Sequence, residues 1–250
     1  MLDLTGRVIV ITGASSGIGE AVALACGAQG MHVVLAARRA ERLERIAEQV
    51  ETVGGTALVC PTDIRSIEQI ERLVSTTRER FGRIDVLLAN AGMGYHSPVS
   101  DASHQEMEEL VATNLLGVMH SARAVLPTMR AQKSGHIITV SSVVIGLMWP
   151  NDALYACTKA GVHRFSKGLR NEVREDGIQV TDLIPGVIDT PLTAGMQGIA
   201  RGEVNAVAQA VVHLIRYPKP VLVIPAWYRL AMLANALFPG LIDRILARIP

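Results

Sequence analysis

Charge of one sign is the first thing this sequence lacks. Its 250 residues carry 24 Lys and Arg against 23 Asp and Glu, interspersed along the chain, for a formal net charge of +1. A phosphate backbone requires a basic face, so nucleic acid is not expected as a partner. Cysteine is scarce: Cys26, Cys60 and Cys157 are an odd number at unrelated spacings, which suits neither a disulfide framework nor a zinc site and leaves buried, reduced thiols. The seven histidines show neither His-x-x-x-His nor His-Glu-x-x-His spacing, so no metal is expected. His120 and His163 fall in helices and read as structural. The N-terminus enters a strand almost at once and leaves no room for a signal peptide, so a cytoplasmic location is expected. Near the C-terminus the longest charge-free run, 230–242, is interrupted by Pro239-Gly240 and falls far short of the ~20 apolar residues that cross a bilayer. The chain has no internal repeat and no low-complexity linker.

What is there is a regular alternation. With 49% hydrophobic residues, a chain of this length can bury one large core, and a single domain over 1–250 is expected. Short β-branched runs at 8–12, 32–37, 56–60, 85–89, 136–141, 179–184 and 221–224 alternate with amphipathic stretches at 17–29, 40–53, 66–81, 103–132, 153–175 and 203–215. About seven strands interleaved with helices predict an α/β fold with a doubly wound parallel sheet covered on both faces. The irregular stretch 185–202, rich in Gly, Pro, Thr and Met, predicts a lid beside the carboxyl ends of the strands, where open α/β sheets bind ligands.

The first strand runs into Thr12-Gly13-Ala14-Ser15-Ser16-Gly17-Ile18-Gly19. Glycines between a strand and a helix let the backbone approach a pyrophosphate while helix N–H groups point at it. The spacing Gly-x3-Gly-x-Gly departs from the Gly-x-Gly-x-x-Gly of dinucleotide-binding turns, and a tight connection without ligand is the plainer alternative. The stretch after the second strand lacks the carboxylate that would take the ribose 2′-hydroxyl of NAD. Arg38 and Arg39 stand there instead, and a guanidinium holds a 2′-phosphate through paired, charge-assisted hydrogen bonds. NADP(H) is the expected cofactor, with Arg38 the preferred contact and NAD(H) the alternative; in the plainer reading both arginines merely open a charged helix. Tyr155 and Lys159 lie four residues apart on one helix face. A tyrosine with an ordinary pKa near ~10 is a poor acid or base at neutral pH, and a fixed cation nearby favours its phenolate. An ordinary i,i+4 surface pair has the same spacing.

Thr12-Gly13-x-x-x-Gly17-Ile18-Gly19, Asn90-Ala91-Gly92, Asn114, Ser142, Tyr155-x-x-x-Lys159 and Pro185-Gly186 occur in the order and at the intervals of the short-chain dehydrogenase/reductase family, which the chain resembles over most of its length. The family more usually has Asn where Ala89 stands. The resemblance implies a Rossmann-type domain with strand order 3-2-1-4-5-6-7, and a homodimer or homotetramer formed through the helices at 103–132 and 153–175. It also implies a catalytic set of Asn114, Ser142, Tyr155 and Lys159. Tyr155 would exchange the substrate proton, while Lys159, together with an oxidised nicotinamide, would lower its pKa and bind the nicotinamide ribose. Ser142 would hydrogen-bond the substrate oxygen, and Asn114 would hold a water on a proton route from Lys159, through a local break in its helix. Read alone, Ser142 is a turn or cap residue and Asn114 a polar helix position. Cofactor contacts implied in the same way are Gly13, Ser15, Ser16, Gly17, Ile18 and Gly19 in the turn, with Arg38 and Arg39 beyond it. Asp63 and Ile64 would meet the adenine, and Asn90, Ala91 and Gly92 its ribose. Pro185, Gly186, Ile188 and Thr190 would receive the nicotinamide carboxamide.

Three segments, 93–97, 143–151 and 192–200, are expected to wall the substrate pocket. They supply Met93, Tyr95, Val144, Leu147, Met148, Trp149, Leu192 and Met196, so a small hydrophobic ketone, aldehyde or alcohol is the expected substrate. Core or subunit packing is the alternative use of the same side chains. The sequence thus reads as an NADP-dependent oxidoreductase. A catalytically silent nucleotide-binding regulatory or scaffold protein of the same fold is the alternative, and an isomerase or dehydratase a third; the filled catalytic positions argue against both. The tail, 225–250, departs from the family's usual end. It reads as an apolar helical extension, with Arg229, Arg244 and Arg248, that rests on a membrane, a neighbouring subunit or the protein's own surface.

Overall fold

The computed structural model describes residues 3–196 and 201–247. Residues 197–200 of the expected lid, and Arg248 of the tail, lie outside them. Seven strands, β1 (Val8–Thr12), β2 (His32–Ala37), β3 (Thr56–Pro61), β4 (Val86–Ala89), β5 (Gly135–Val140), β6 (Ile178–Pro185) and β7 (Val221–Ile224), form one parallel sheet in the order β3-β2-β1-β4-β5-β6-β7. This is the doubly wound Rossmann-type arrangement that the alternation of strands and helices predicts.

The strands form because their apolar residues are continuous rather than alternating, the pattern of a strand buried on both faces. In β1, Ile9 and Ile11 point into one layer with Leu43, Val50 and Val211, and Val8 and Val10 into the other with Leu73, Val125 and Val162. Burying those four side chains of β1 contributes on the order of 6–12 kcal/mol before the opposing conformational entropy. One layer holds α1 (Gly17–Gly27), α2 (Ala40–Thr52) and α7 (Val204–Arg216); the other holds α3 (Ile67–Phe81), α5 (Gly117–Gln132) and α6 (Ala153–Glu172).

Two expected helices differ in the structure. The one at 103–132 starts as expected, with Ser103 and Glu106 in a capping box before α4 (His104–Val111). Residues Ala112–Leu116 then wind as a π segment before α5, which is the form the local break at Asn114 takes. The helix expected to reach 175 stops at Glu172, is followed by a 3-10 turn over Arg174–Asp176, and is closed by Gly177 at φ +74°, a conformation that favours glycine.

β1 pairs with β2 on one side and β4 on the other, so the connections diverge to opposite faces and leave a crevice at the carboxyl ends of β1 and β4, where Thr12 and Ala89 pair. The tail forms α8 (Tyr228–Leu237) and α9 (Pro239–Leu246), packed on a small cluster of Val143, Leu147, Ile184 and Val223.

Candidate active site

The crevice is a cleft of about 590 Å³, a size that takes a small-molecule ligand. Its floor is the glycine turn. Gly13 (φ +68°) and Gly17 (φ +60°) adopt left-handed backbone, and a Cβ on Gly13 would stand 2.7 Å from the Ala91 Cα. A Cβ on Gly19 would strike the Gly13 carbonyl and come 2.8 Å from Asn90 Nδ2. The turn is therefore pressed onto the end of β4. Asn90 holds it there: its Nδ2 donates to the carbonyls of Thr12 at 3.0 Å and Gly13 at 3.3 Å, while the Thr12 hydroxyl accepts from the amides of Asn90 and Ala91. Ser16, the N-cap of α1, makes no side-chain cap bond, which leaves the first amides of α1 to an anion at the cleft floor.

One end of the cleft is cationic. Arg38 and Arg39, at the end of β2, both line it and are exposed. Arg39 donates to Ser15 Oγ at 2.8 Å and Ser16 Oγ at 3.3 Å. Asp63 also lines the cleft, and its carboxylate is clamped by Arg65, with a shortest contact of 2.7 Å. That hydrogen bonding holds the Asp63 carboxyl below the usual carboxylate range, with Arg38 adding a smaller effect. Arg65 lines the cleft as well and was not among the residues singled out from sequence; its only signal there is its place two residues beyond Asp63. The side chain of Ile64 is buried.

The opposite end holds Ser142, Tyr155 and Lys159, all of which line the cleft and all of which are buried. α6 presents Tyr155 and Lys159 on one face because they are a turn apart, and β5 delivers Ser142 just beyond its last residue, Val140. Lys159 Nζ donates to the Val140 carbonyl at 2.9 Å and stands 5.7 Å from the centroid of the Tyr155 ring. Burial pushes the Tyr155 phenol up to about 12; a hydrogen bond with Ser142 opposes this, and the Asp152 charge adds to it. Burial likewise pushes the Lys159 ammonium down to about 8, against the attraction of Asp182. Spacing alone predicts a phenolate favoured by Lys159. Among the protein's own groups burial sets the direction of the Tyr155 shift, while the Lys159 ammonium donates to a backbone carbonyl.

Of the residues expected to serve catalysis or the cofactor, Asn114 and Gly19 do not line the cleft. Asn114 is fully buried behind it. Its Oδ1 accepts from the Met93 amide at 2.8 Å, and its Nδ2 donates to the Met93 carbonyl at 2.9 Å and to Thr158 Oγ1 at 3.2 Å. The side chain thus staples the segment after β4 to α6, and only the backbone of the π segment is free of that task. Gly13, Ser15, Ser16, Gly17 and Ile18 of the turn, the segment at 90–92, and Pro185, Gly186, Ile188 and Thr190 line the cleft together.

Of the expected apolar wall, Met93, Val144, Trp149, Leu192 and Met196 line the cleft, whereas Tyr95, Leu147 and Met148 do not. Leu147 turns the other way, into the cluster under α8. His96, inside the expected wall segment 93–97 but not among the side chains named from it, also lines the cleft. Its Nδ1 lies 2.5 Å from Asp152 Oδ1, and its ring centroid is 5.9 Å from that of Tyr155. No spacing rule links residues so far apart, so the pair carries no sequence signal. The two ends of the segment at 187–202 are joined, the amide of Gly202 donating to Val187 O at 2.7 Å and that of Asp189 to Gly202 O at 2.9 Å. No cluster of His, Cys, Asp and Glu able to hold a metal occurs among the described residues.

Comparison with known proteins agrees with this geometry. The family model described as short chain dehydrogenase matches residues 7–199. An uncharacterised oxidoreductase of Staphylococcus aureus (strain USA300) is 35% identical over 223 residues, covering 88% of this chain and 96% of the relative. Among solved structures, an alcohol dehydrogenase from Thermococcus sibiricus complexed with 5-hydroxy-NADP has a TM-score of 0.81 at 30% identity, covering 89% of this chain and 97% of that one. A 3-ketoacyl-(acyl-carrier-protein) reductase from Brucella melitensis complexed with NADH has a TM-score of 0.81 at 28% identity, covering 88% and 97%.

Proposed function

The chain belongs to the short-chain dehydrogenase family, and from that premise we propose that it is an NADP(H)-dependent oxidoreductase that interconverts a hydrophobic ketone or aldehyde and its alcohol. The observation that carries this reading is the polarity of one cleft: guanidinium groups and a glycine cradle at one end, a buried Ser142, Tyr155 and Lys159 at the other. The cradle fits a dinucleotide because Gly13 and Gly19, where a Cβ would strike the end of β4 or the turn itself, let the turn lie close against β4 with the first amides of α1 at the cleft floor. Bound there, a nicotinamide dinucleotide supplies or accepts the hydride.

The residues of the chain do the rest. Gly13, Ser15, Ser16, Gly17 and Ile18, with the amides of α1, hold the pyrophosphate; Asn90, Ala91 and Gly92 with Asp63 and Ile64 hold the adenosine half; Pro185, Gly186, Ile188 and Thr190 orient the nicotinamide half. Arg38 and Arg39 favour NADP(H), because guanidinium groups at that end suit a 2′-phosphate, whereas Arg65 is paired with Asp63. NAD(H) is the alternative, and the two solved relatives carry one type each. In reduction Tyr155 gives a proton to the substrate oxygen, for which a phenol raised by burial is already in the right state at neutral pH. Ser142 donates to that oxygen as charge develops on it. Lys159 supplies the cation that stabilises the phenolate left behind, and the backbone at Asn114 holds the water that relays a proton from Lys159. Met93, Val144, Trp149, Leu192 and Met196 give the substrate an apolar wall, which favours an uncharged carbonyl compound. A homodimer or homotetramer through α4, α5 and α6 is supported by Val111 and Leu116, which stand exposed along that helical run.

The test is a screen of ketones, aldehydes and secondary alcohols with both coenzymes, followed by Tyr155→Phe on the best substrate. Turnover should drop at least ~100-fold while NADPH binding is kept. A variant that retains activity within about tenfold would overturn the role of Tyr155. Failure to bind either coenzyme would overturn the function.

A further inference from the structure

α8 has an unusual inventory for a surface helix. Its ten residues include one charge, Arg229. The inner face is committed to the protein: Tyr228 is buried with its hydroxyl accepting from the Val187 amide, Met232 covers Gly146, and Asn235 Nδ2 donates to the Gly146 carbonyl at 2.9 Å. The outer face is apolar and bare. Leu230, Leu233 and Leu237 are 71%, 56% and 63% exposed, with Trp227 at 53% before them and Phe238 at 61% after. Spacing of three to four residues sets the three leucines along one stripe. Scattered exposed leucines need no explanation, but five large apolar residues within twelve positions on one face do.

We infer that this face docks in the plane of an anionic lipid surface. Three observations select lipid over another occupant. The charged residues from 217 to 247 are Lys219, Arg229 and Arg244 against the single acid Asp243, and Arg229 on α8 and Arg244 on α9 are exposed, so the two helices offer cations that complement anionic headgroups. Trp227 stands at the end of the stripe, where an amphipathic ring suits the boundary between headgroups and hydrocarbon. No helix among the described residues is long and apolar enough to span a bilayer, so a contact made by α8 and α9 lies in the interface.

The position of α8 gives the contact a use. Its inner face touches Gly186, whose Cβ would collide with the Tyr228 ring, and Val187; both residues line the cleft. Leu192, on the lid, and Met148, beside the Leu147 that α8 covers, are also exposed. A protein seated on α8 brings the apolar end of its cleft to the membrane, where hydrophobic carbonyl compounds concentrate.

The test is sedimentation of the full chain with vesicles of phosphatidylcholine alone and of phosphatidylcholine mixed equally with phosphatidylglycerol. The wild type should bind the mixed vesicles. Leu233→Asp combined with Leu237→Asp should lower the partition coefficient at least tenfold on both, and Arg229→Ala should lower it about fivefold on the mixed vesicles only. Thermal midpoints close to wild type establish that the variants are folded. A wild type that ignores both vesicles, or a double variant that binds like wild type, overturns the inference. So does a wild type whose mass in analytical ultracentrifugation falls by half in the double variant without any vesicle binding, which assigns the patch to a second copy of the chain. Because the readout is binding and not turnover, its failure leaves the oxidoreductase reading standing, and the failure of that reading leaves the lipid contact standing.

Discussion

His96 Nδ1 and Asp152 Oδ1 lie 2.5 Å apart, at the edge of the cleft beside the Tyr155 ring. Asp152 is 1% exposed, stands at the N-cap position of α6 without a side-chain cap bond, and has its second oxygen without a partner among the described residues. A buried carboxylate so close to a phenol disfavours the phenolate, and the Asp152 charge adds to the rise that burial imposes on Tyr155. Asp152→Asn keeps a hydrogen-bonding partner for His96 and removes the charge. The expected outcome is a lower Tyr155 pKa. Ketone reduction, which uses the protonated phenol, should then lose rate at a lower pH than in the wild type, and alcohol oxidation, which uses the phenolate, should gain rate at a lower pH. Profiles of kcat/KM against pH in both directions check this; two unmoved profiles would show that the field of Asp152 does not reach the reacting oxygen.

Arg38 and Arg39 differ in their commitments. Arg39 is tied to Ser15 and Ser16, whereas Arg38 makes no hydrogen bond among the described side chains and acts on Asp63 only through its field. Arg38 is thus the freer guanidinium for a 2′-phosphate. A charge-assisted hydrogen-bonded pair is worth about 1.5–3 kcal/mol, so Arg38→Asp should lower kcat/KM for NADPH on the order of 10- to 100-fold and leave that for NADH near wild type. An unchanged NADPH/NADH ratio would reject the contact. Arg39→Ala should weaken both coenzymes, since it loosens the turn that both would share.

β1, β2 and β7 run where their β-branched residues stand, because a continuous apolar run of that length fits a buried parallel strand and little else. The helix at 103–132 was legible as apolar periodicity, and its break at Asn114 only through the family resemblance, since periodicity does not record the side-chain bonds of Asn114 to Met93 and Thr158. In the site, Tyr155 with Lys159 and the glycine turn were legible because their geometry is local. The His96–Asp152 pair was not, being made between the segment after β4 and the start of α6, and neither was the inward turn of Leu147, which depends on where α8 docks. Arg65 was hidden for another reason: nothing in the sequence shows that the Asp63 carboxylate is clamped by its neighbour two residues on.

His136 provides a test of the core rather than of the chemistry. It lies on β5, 5% exposed, with Nε2 on Thr181 Oγ1 at 2.8 Å, and burial pushes its pKa down to about 4. An unfolded histidine titrates near ~6.5. Between those values the unfolded chain binds a proton that the folded chain does not, so the stability conferred by the neutral imidazole is complete above about pH 6.5 and is lost as pH falls toward about 4. The loss is about 3 kcal/mol. His136→Gln has no proton to bind. Its unfolding free energy should change less between about pH 7 and about pH 4 than that of the wild type, measured by urea denaturation at each pH. Equal slopes would mean that the imidazole takes up its proton without unfolding the strand.

Two glycines set the same substitution against itself. Gly19 sits in the first turn of α1, where a Cβ would meet the Gly13 carbonyl and Asn90 Nδ2, so Gly19→Ala must push the turn away from the end of β4. Overpacking of this kind costs about 1–3 kcal/mol, and here it also displaces the amides that would hold a pyrophosphate. Gly168 is in α6, exposed, and a Cβ there meets nothing within 4 Å. Gly168→Ala should therefore stabilise the protein by about 0.5–1 kcal/mol through helix propensity alone. Thermal midpoints and NADPH titration of the two variants separate the effects: Gly19→Ala should fall in both measurements, and Gly168→Ala should rise in the first and hold in the second. If Gly19→Ala binds NADPH like the wild type, the turn is a connection between β1 and α1 and not a cradle.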